Sequence, residues 1–246
     1  MKKITSVGII GLGSFGRFAA SLVPRDADVV LYGYDPKEAP VDGVKLVDLA
    51  TLAKADVVIL AVPLEQYPVL LPQLQPLIGP DTLLVDVCSV KVRPAQHIHK
   101  YFPDHANLLL THPLFGPQSA GESTKGHKLI VTESKGDIAQ QLLDFCEQKL
   151  ELELHNMTNE EHDQLMAQVH VLTFFVARGL SDLQIKKGPF ITPSYKMIMD
   201  LVTFDQTHSD ELFQTIQRGN PYAESMRQQV VQSFSKLAAS LEEEKK

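Results

Sequence analysis

The sequence lacks the marks of several protein classes. It has no basic block, and its formal charge is −7 over 246 residues, which argues against nucleic acid and against a polybasic membrane patch as partners. Its two cysteines, Cys88 and Cys146, have neither the spacing of a disulfide framework nor that of a zinc site. No metal is therefore expected, and a reducing cytoplasm is the expected location. No stretch approaches the roughly 20 apolar residues of a membrane span. Lys2 and Lys3 precede an apolar run, but Gly8, Gly11, Gly13 and Gly16 interrupt it and no cleavage pattern follows, unlike a signal peptide. There is no internal repeat, and low complexity is confined to the charged tail, residues 242–246. A chain of this length holds one large domain or two modest ones, each with its own core.

What is present begins with residues 4–10, a buried first strand that runs straight into GLGSFG. Gly11, Gly13 and Gly16 take the G-x-G-x-x-G positions, and helical periodicity then runs from Phe15 to Pro24. The first glycine allows a tight turn, the second lets a pyrophosphate approach the backbone, and the third lets the helix pack close to its strand. Ser14 and Phe15 open that helix, where free amides face the phosphates. A second strand over residues 28–34 ends in Asp35, about the expected distance downstream for the carboxylate that holds a ribose diol. A carboxylate suits NAD and repels the 2′-phosphate of NADP; Lys37 offers such a phosphate some compensation, so NADP stays open.

The β-α-β alternation continues with a short helix over 48–55, a strand over 56–62, an amphipathic stretch over 65–78 and a strand over 82–87. Val62 and Pro63 lie where the third strand ends, under the expected cofactor position; Pro63 reads equally as a strand terminator. The fourth strand ends in DVCSVK. Ser89 and Lys91 fall just past its carboxyl end, before a helix over 90–101, and each also has a plain account: Ser89 as a helix cap, Lys91 as a solvated first-turn residue. Residues 108–118, LLLTHPLFGPQ, give a short buried strand that stops at Thr111, then His112, then a turn built from Pro113, Gly116 and Pro117. The carboxyl edge of an open α/β sheet is where ligands bind, so His112 is placed for proton chemistry. The alternative is a strand-end histidine that only ties down its loop.

Lys125 and Lys128 bracket His127 in a loop that reads as solvated. A strand over 129–132, a helix over 137–150 and a last strand over 152–156 follow. The pattern then turns helical: Thr158-x-x-Glu161 is a capping box opening a helix that runs to about Lys187, with further helices over 192–204, 210–218 and 221–241. The expected fold is α/β, a Rossmann-type doubly wound, mostly parallel sheet in a dinucleotide-binding domain (1–156). A smaller all-helical domain (157–246) follows, for substrate and dimerisation. Long amphipathic helices in so small a region predict a homodimer.

DVCSVK followed by THPLFGPQ, downstream of a dinucleotide fingerprint, resembles the prephenate/arogenate dehydrogenases of tyrosine biosynthesis. Members of that family show D-x-x-S-V-K and H-P-[ML]-x-G stretches in these places, and the likeness runs from Ile4 to about Phe204. The resemblance implies oxidative decarboxylation of prephenate or arogenate, with hydride passing to NAD(P) from the ring carbon that bears the hydroxyl. It implies His112 as the base that accepts the hydroxyl proton and Ser89 as a hydroxyl that orients base or substrate. Lys91 follows as an electrostatic contact only, and Gln118 and His162 as substrate contacts; His162-Asp163 matches an H-D pair on the first helix of the family's second domain, though His162 reads equally as a stabiliser of the helix start. A neutral imidazole in reach of the hydroxyl accelerates such a step by about 100- to 10,000-fold.

The chain also departs from the family. In HDQLMAQVHVLTFF, Val171 and Phe174 stand where many members keep histidines, and His170 where Ser or Gln is usual. TPSYK is present at 192–196, but Phe204 stands where many bacterial members place the arginine that binds the substrate's side-chain carboxylate. Lys196, Arg178 and Lys186 are the candidate cations. Plant arogenate enzymes likewise lack that arginine, which keeps arogenate open beside prephenate. Two other readings stand: another NAD(P)-dependent dehydrogenase of similar two-domain build, and a catalytically silent NAD-binding sensor. A fused chorismate mutase or ACT-type domain is not expected.

Overall fold

The computed structural model describes residues 3–24, 28–37, 40–121, 123–186, 188 and 190–243. Lys2, the expected helix end near Lys187 and the last three residues of the charged tail lie outside the described residues. The chain divides into two compact units, Met1–Glu160 and Glu161–Lys246. The division falls inside the first turn of a helix, close to the expected boundary at 156/157.

In the first unit, eight strands form one sheet. They are β1 (Ser6–Ile10), β2 (Val30–Tyr34), β3 (Lys45–Leu46), β4 (Val57–Leu60), β5 (Leu83–Asp86), β6 (Leu108–Pro113), β7 (Lys128–Lys135) and β8 (Glu153–Asn156). Their order is β3-β2-β1-β4-β5-β6-β7-β8. All neighbours run parallel except β6 and β7. Five helices cover this sheet: α1 (Ser14–Ser21), α2 (Leu49–Leu52), α3 (Tyr67–Leu74), α4 (Val92–Tyr101) and α5 (Asp137–Gln148). The architecture is the doubly wound α/β fold expected from the alternation.

Both faces of the sheet are apolar, as burial between two helical layers demands. Val58, Leu60, Leu84, Leu108 and Leu110 pack with Leu52, Tyr67, Leu71, Leu74 and Ile98. Val57, Leu83, Val85 and Leu109 pack with Ala20, Ile138, Ala139 and Leu143. The strand order reverses between β1 and β4, so the crevice for a ligand opens at the carboxyl edge there.

The antiparallel β7 was not foreseen. A parallel partner needs a crossover, usually helical, whereas the described residues of 114–127 form turns. This neighbour also lengthens β6. Pairing with β5 ends at Asp86 opposite Leu110. Beyond a bulge between Leu110 and Thr111, β7 continues the pairing through Thr111, His112 and Pro113. His112 therefore lies inside a strand rather than after one. The two-residue edge strand β3 carries no sequence signal.

The second unit holds α6 (Asn159–Met166, beginning in the first unit), a π-helical turn (Ala167–Val171), α7 (Leu172–Asp182), α8 (Pro193–Thr207), α9 (Asp210–Gly219) and α10 (Ala223–Glu243). Its core is small: Ala167, Val171, Phe174, Ile216 and Ala223, with Phe204, Leu212, Phe213, Tyr222 and Met226 packed around them. Caps punctuate it. Thr192 Oγ1 accepts from the Tyr195 amide and Ser209 Oγ from that of Leu212, both at 3.2 Å. Asn220 accepts from the Tyr222 amide and donates to the buried Asp163 carbonyl. Val231, Phe234, Leu237 and Leu241 on α10 are each more than half exposed. Among the described residues no helix is long and apolar enough to cross a membrane.

Candidate active site

The glycine loop is built for close approach. Gly11 donates to the Tyr34 carbonyl at 2.9 Å and has φ +94°; a Cβ there would lie 2.4 Å from the Ala61 carbonyl oxygen and 2.8 Å from Val62 Cγ1. Only glycine serves. A Cβ on Gly16 would fall 1.8 Å from the Gly11 oxygen, so the third glycine seats α1 against the turn. Around Gly13 nothing lies within 4 Å of a would-be Cβ, and Gly13 caps α1 without a side-chain hydrogen bond. The first-turn amides, among them those of Ser14 and Phe15, have no side-chain cap and border open space, which fits a pyrophosphate.

Asp35 completes this half of the site. Its Oδ2 accepts the Leu12 amide and its Oδ1 the Lys37 amide, each at 2.9 Å. Each oxygen keeps acceptor capacity for a ribose hydroxyl. Val62 touches the position of Gly11, and Pro63 caps the 3-10 turn Leu64–Gln66, so Pro63 ends one element and starts the next beside the loop. The ribose carboxylate lies on the β2 side of the glycine loop. A dinucleotide laid across that loop directs its other end over β4, β5 and β6, a span of roughly 14 Å from β1.

Ser89 and His112 lie along that path. They issue from adjacent strands, β5 and β6. Ser89 is not the helix cap: Lys91 takes that position, with no side-chain cap bond. The Ser89 hydroxyl is buried with no hydrogen-bond partner among the described residues, an arrangement that native structures rarely tolerate without a ligand or water to satisfy it. His112 is 4 % exposed.

Lys91 is the main correction. Instead of being solvated, it is 0 % exposed, and its ammonium donates to Asp86 Oδ2 and to the Thr111 carbonyl. Asp86 Oδ1 takes the Tyr67 phenol and the Cys88 amide. Gln118 is exposed in the turn beyond β6. Nearby, the buried Phe115 stacks on His127 with ring centroids 5.0 Å apart, and Lys125 pairs with Glu151 at 2.9 Å.

In the helical unit, His162 is fully buried with Nδ1 2.8 Å from Asp163 Oδ1. A regular helix would have aligned His162 roughly with Val169 and Thr173. The π-helical turn absorbs about one residue, leaving His170 close to two turns of 3.6 from His162 and on its side of the helix. Burial pushes the His170 imidazole down to about 4, and the neighbouring His162 and His208 push the same way. Phe204 packs its ring 4.8 Å from Phe174 and 4.2 Å from His208. Of the candidate cations, Lys196 pairs with Asp200 at 2.8 Å on an exposed helix face, and Arg178 bridges Asp205 and Asp210, both at 2.8 Å.

Residues 18–152, more than half of the chain, match the family model described as prephenate dehydrogenase, nucleotide-binding domain. The chain belongs to the prephenate dehydrogenase family. It is 30% identical over 166 residues to arogenate dehydrogenase 2, chloroplastic, of Arabidopsis thaliana, covering 65% of this chain and 46% of that one. It is 24% identical over 247 residues to a probable arogenate/prephenate dehydrogenase of Methanocaldococcus jannaschii, covering 94% and 54%. The chain thus spans about half the length of these relatives. Among solved structures, prephenate dehydrogenase from A. aeolicus, in complex with hydroxyphenyl propionate and NAD+, superposes with a TM-score of 0.73 at 19% identity, covering 98% of this chain and 91% of that one. That likeness shows a shared fold.

On the first unit the structure adds Asp86, Tyr67 and Thr111 around Lys91; of these Asp86 stands within DVCSVK, but the sequence assigns none of the three a role. Asp86 had a signal, being an acid at the end of an otherwise apolar strand. Tyr67 had none, since it reads as the first aromatic of an amphipathic helix.

Proposed function

We propose that the protein oxidatively decarboxylates arogenate or prephenate, and the observation that carries this is the buried Ser89 hydroxyl, without a partner among the described residues, just past the end of the strand that neighbours the strand of His112. NAD+, when bound, would supply the hydride acceptor; the glycine loop and the α1 amides would hold its pyrophosphate, and Asp35 its ribose. His112 accepts the proton of the ring hydroxyl as hydride leaves the same carbon. Ser89 orients that hydroxyl or the imidazole. The new carbonyl then draws electrons from the bond to the ring carboxylate, which departs as carbon dioxide while the ring becomes aromatic. Burial of His112 excludes water and strengthens each of these polar contacts.

The pairing within the helical unit favours arogenate. Arg178 and Lys196 are already matched by acids, and Phe204 is packed among aromatic rings. A side chain that carries its own ammonium beside its carboxylate asks for less positive charge from the protein. Of the other site candidates, Gln118 stands on the exposed turn after β6, and His162 is buried and held by Asp163.

A homodimer through that unit is part of this reading. Val230, Phe234, Leu237 and Leu241 recur at intervals of four, three and four on α10, the seam of a helix that packs on a copy of itself. Cys88 and Cys146, which are not joined in a disulfide, fit a reducing cytoplasm.

The buried Phe174 and the half-buried Phe204, where the family resemblance implies polar residues, favour a second reading, a silent NAD-binding sensor. His112→Asn separates the two. An enzyme loses turnover while its calorimetric NAD affinity stays unchanged; a protein with no turnover before the substitution is a sensor.

A further inference from the structure

The buried set around Asp86 draws on four segments. Tyr67 comes from α3, Asp86 from β5, Lys91 from the start of α4, and Thr111 from β6. Burial first, and Asp86 next to it, push the Tyr67 hydroxyl well above the ordinary phenol range, so it stays a donor to Asp86 Oδ1. Thr111 returns its own hydroxyl to the Asp86 carbonyl at 2.9 Å. Stability does not account for the ion pair at the centre, because a well-packed apolar pair of similar size is often as stable or more so.

What such an apolar pair lacks is a donor for the Thr111 carbonyl. β6 pairs with β5 only as far as Leu110, and the register slips between Leu110 and Thr111. Past that point β5 offers no further ladder partner. The ammonium of Lys91, on the segment that continues β5, donates to the Thr111 carbonyl instead. The Thr111 carbonyl belongs to the peptide whose nitrogen is that of His112. A strand leaving its neighbour is free to twist, and bulges are where side chains are re-aimed.

We infer that Lys91, held by Asp86, is a positioning residue for His112: it replaces the missing β5 hydrogen bond and fixes the Thr111–His112 peptide, and with it the imidazole. The rate consequence rests on the reaction proposed above; the positional consequence does not.

The test uses the full chain as wild type, His112→Asn, Lys91→Met, and the charge-free pair Asp86→Asn with Lys91→Met, which carries the test if the single variant does not fold. Nitrogen-15 imidazole spectra are recorded with NAD present. The His112 signals, assigned by their loss in His112→Asn, shift in the Lys91 variants while those of the other eight histidines stay in place. The NAD dissociation constant is unchanged. Turnover falls about 100-fold at nearly constant KM, as for a misplaced reacting group. Added to His112→Asn, the same change costs less than about twofold, because it acts through a group already gone. Unmoved His112 signals would overturn the inference, and so would a full 100-fold loss on top of His112→Asn. If the wild type turns over neither substrate, the reaction proposed above fails, and the imidazole spectra still decide the role of Lys91.

Discussion

Asp35 accepts the amide of Leu12, the residue between the first two glycines of the phosphate loop, at 2.9 Å. One carboxylate therefore anchors the loop while, in the function proposed above, it would also hold the ribose. Asp35→Asn keeps a carbonyl acceptor but loses the charge, and the account expects NAD affinity to fall by roughly 10-fold, the worth of one hydrogen bond to an ionised group. Discrimination against NADP narrows at the same time. The protein has no tryptophan, so calorimetric titration with each cofactor is the suitable reading.

His170 makes the helical unit sensitive to acid. Its folded imidazole protonates only near pH 4 because burial disfavours the charge, whereas an unfolded histidine does so near 6.5. The unfolded chain thus binds the extra proton first. Stability from this group is complete above about pH 6.5 and is lost progressively as pH falls toward 4, on the order of 3 kcal/mol in all. His170→Gln removes that dependence. Melting temperatures from pH 4.5 to 7.5 should converge between wild type and variant as pH falls; parallel curves contradict the assignment.

Arg178 ties α7 to α8 and α9. It pairs with Asp205, which is 8 % exposed, and with the exposed Asp210, and its guanidinium lies 4.2 Å from the Phe213 ring centroid. Arg178→Ala leaves Asp205 without that partner and destabilises the protein by about 1–3 kcal/mol. Lysine in its place recovers part of this, since it keeps the charge without the planar fork. Urea unfolding measures both, and an unchanged midpoint for Arg178→Ala contradicts the role.

Phe234 and Leu237 test the dimer. Replacing both by glutamate places charge in the proposed seam, so light scattering after size exclusion should show a shift from dimer to monomer. A wild type that is monomeric at micromolar concentration rejects the seam.

Much of this was legible because it depends on local pattern. The glycine loop, the strand into Asp35 and the alternation up to Tyr101 follow from apolar runs and turn residues, and they reappear within a few positions. Strand direction at β7 was not legible, since the residues of a strand do not encode which neighbour it meets. Lys91 was misread for a physical reason. A lysine just past a strand is ordinarily solvated, and only the convergence of Asp86 and the Thr111 carbonyl from elsewhere in the chain justifies its burial. The π-helical turn was hidden as well, because one extra residue in a turn leaves the apolar periodicity nearly intact while moving His170 to a new neighbourhood.

The most direct test follows reduced-cofactor absorbance for the full chain with arogenate and with prephenate, each with NAD and with NADP. The account predicts turnover with NAD, arogenate leading, and loss of about 100- to 10,000-fold in His112→Asn. Silence in all four mixtures with NAD bound, or full activity in the variant, would contradict it.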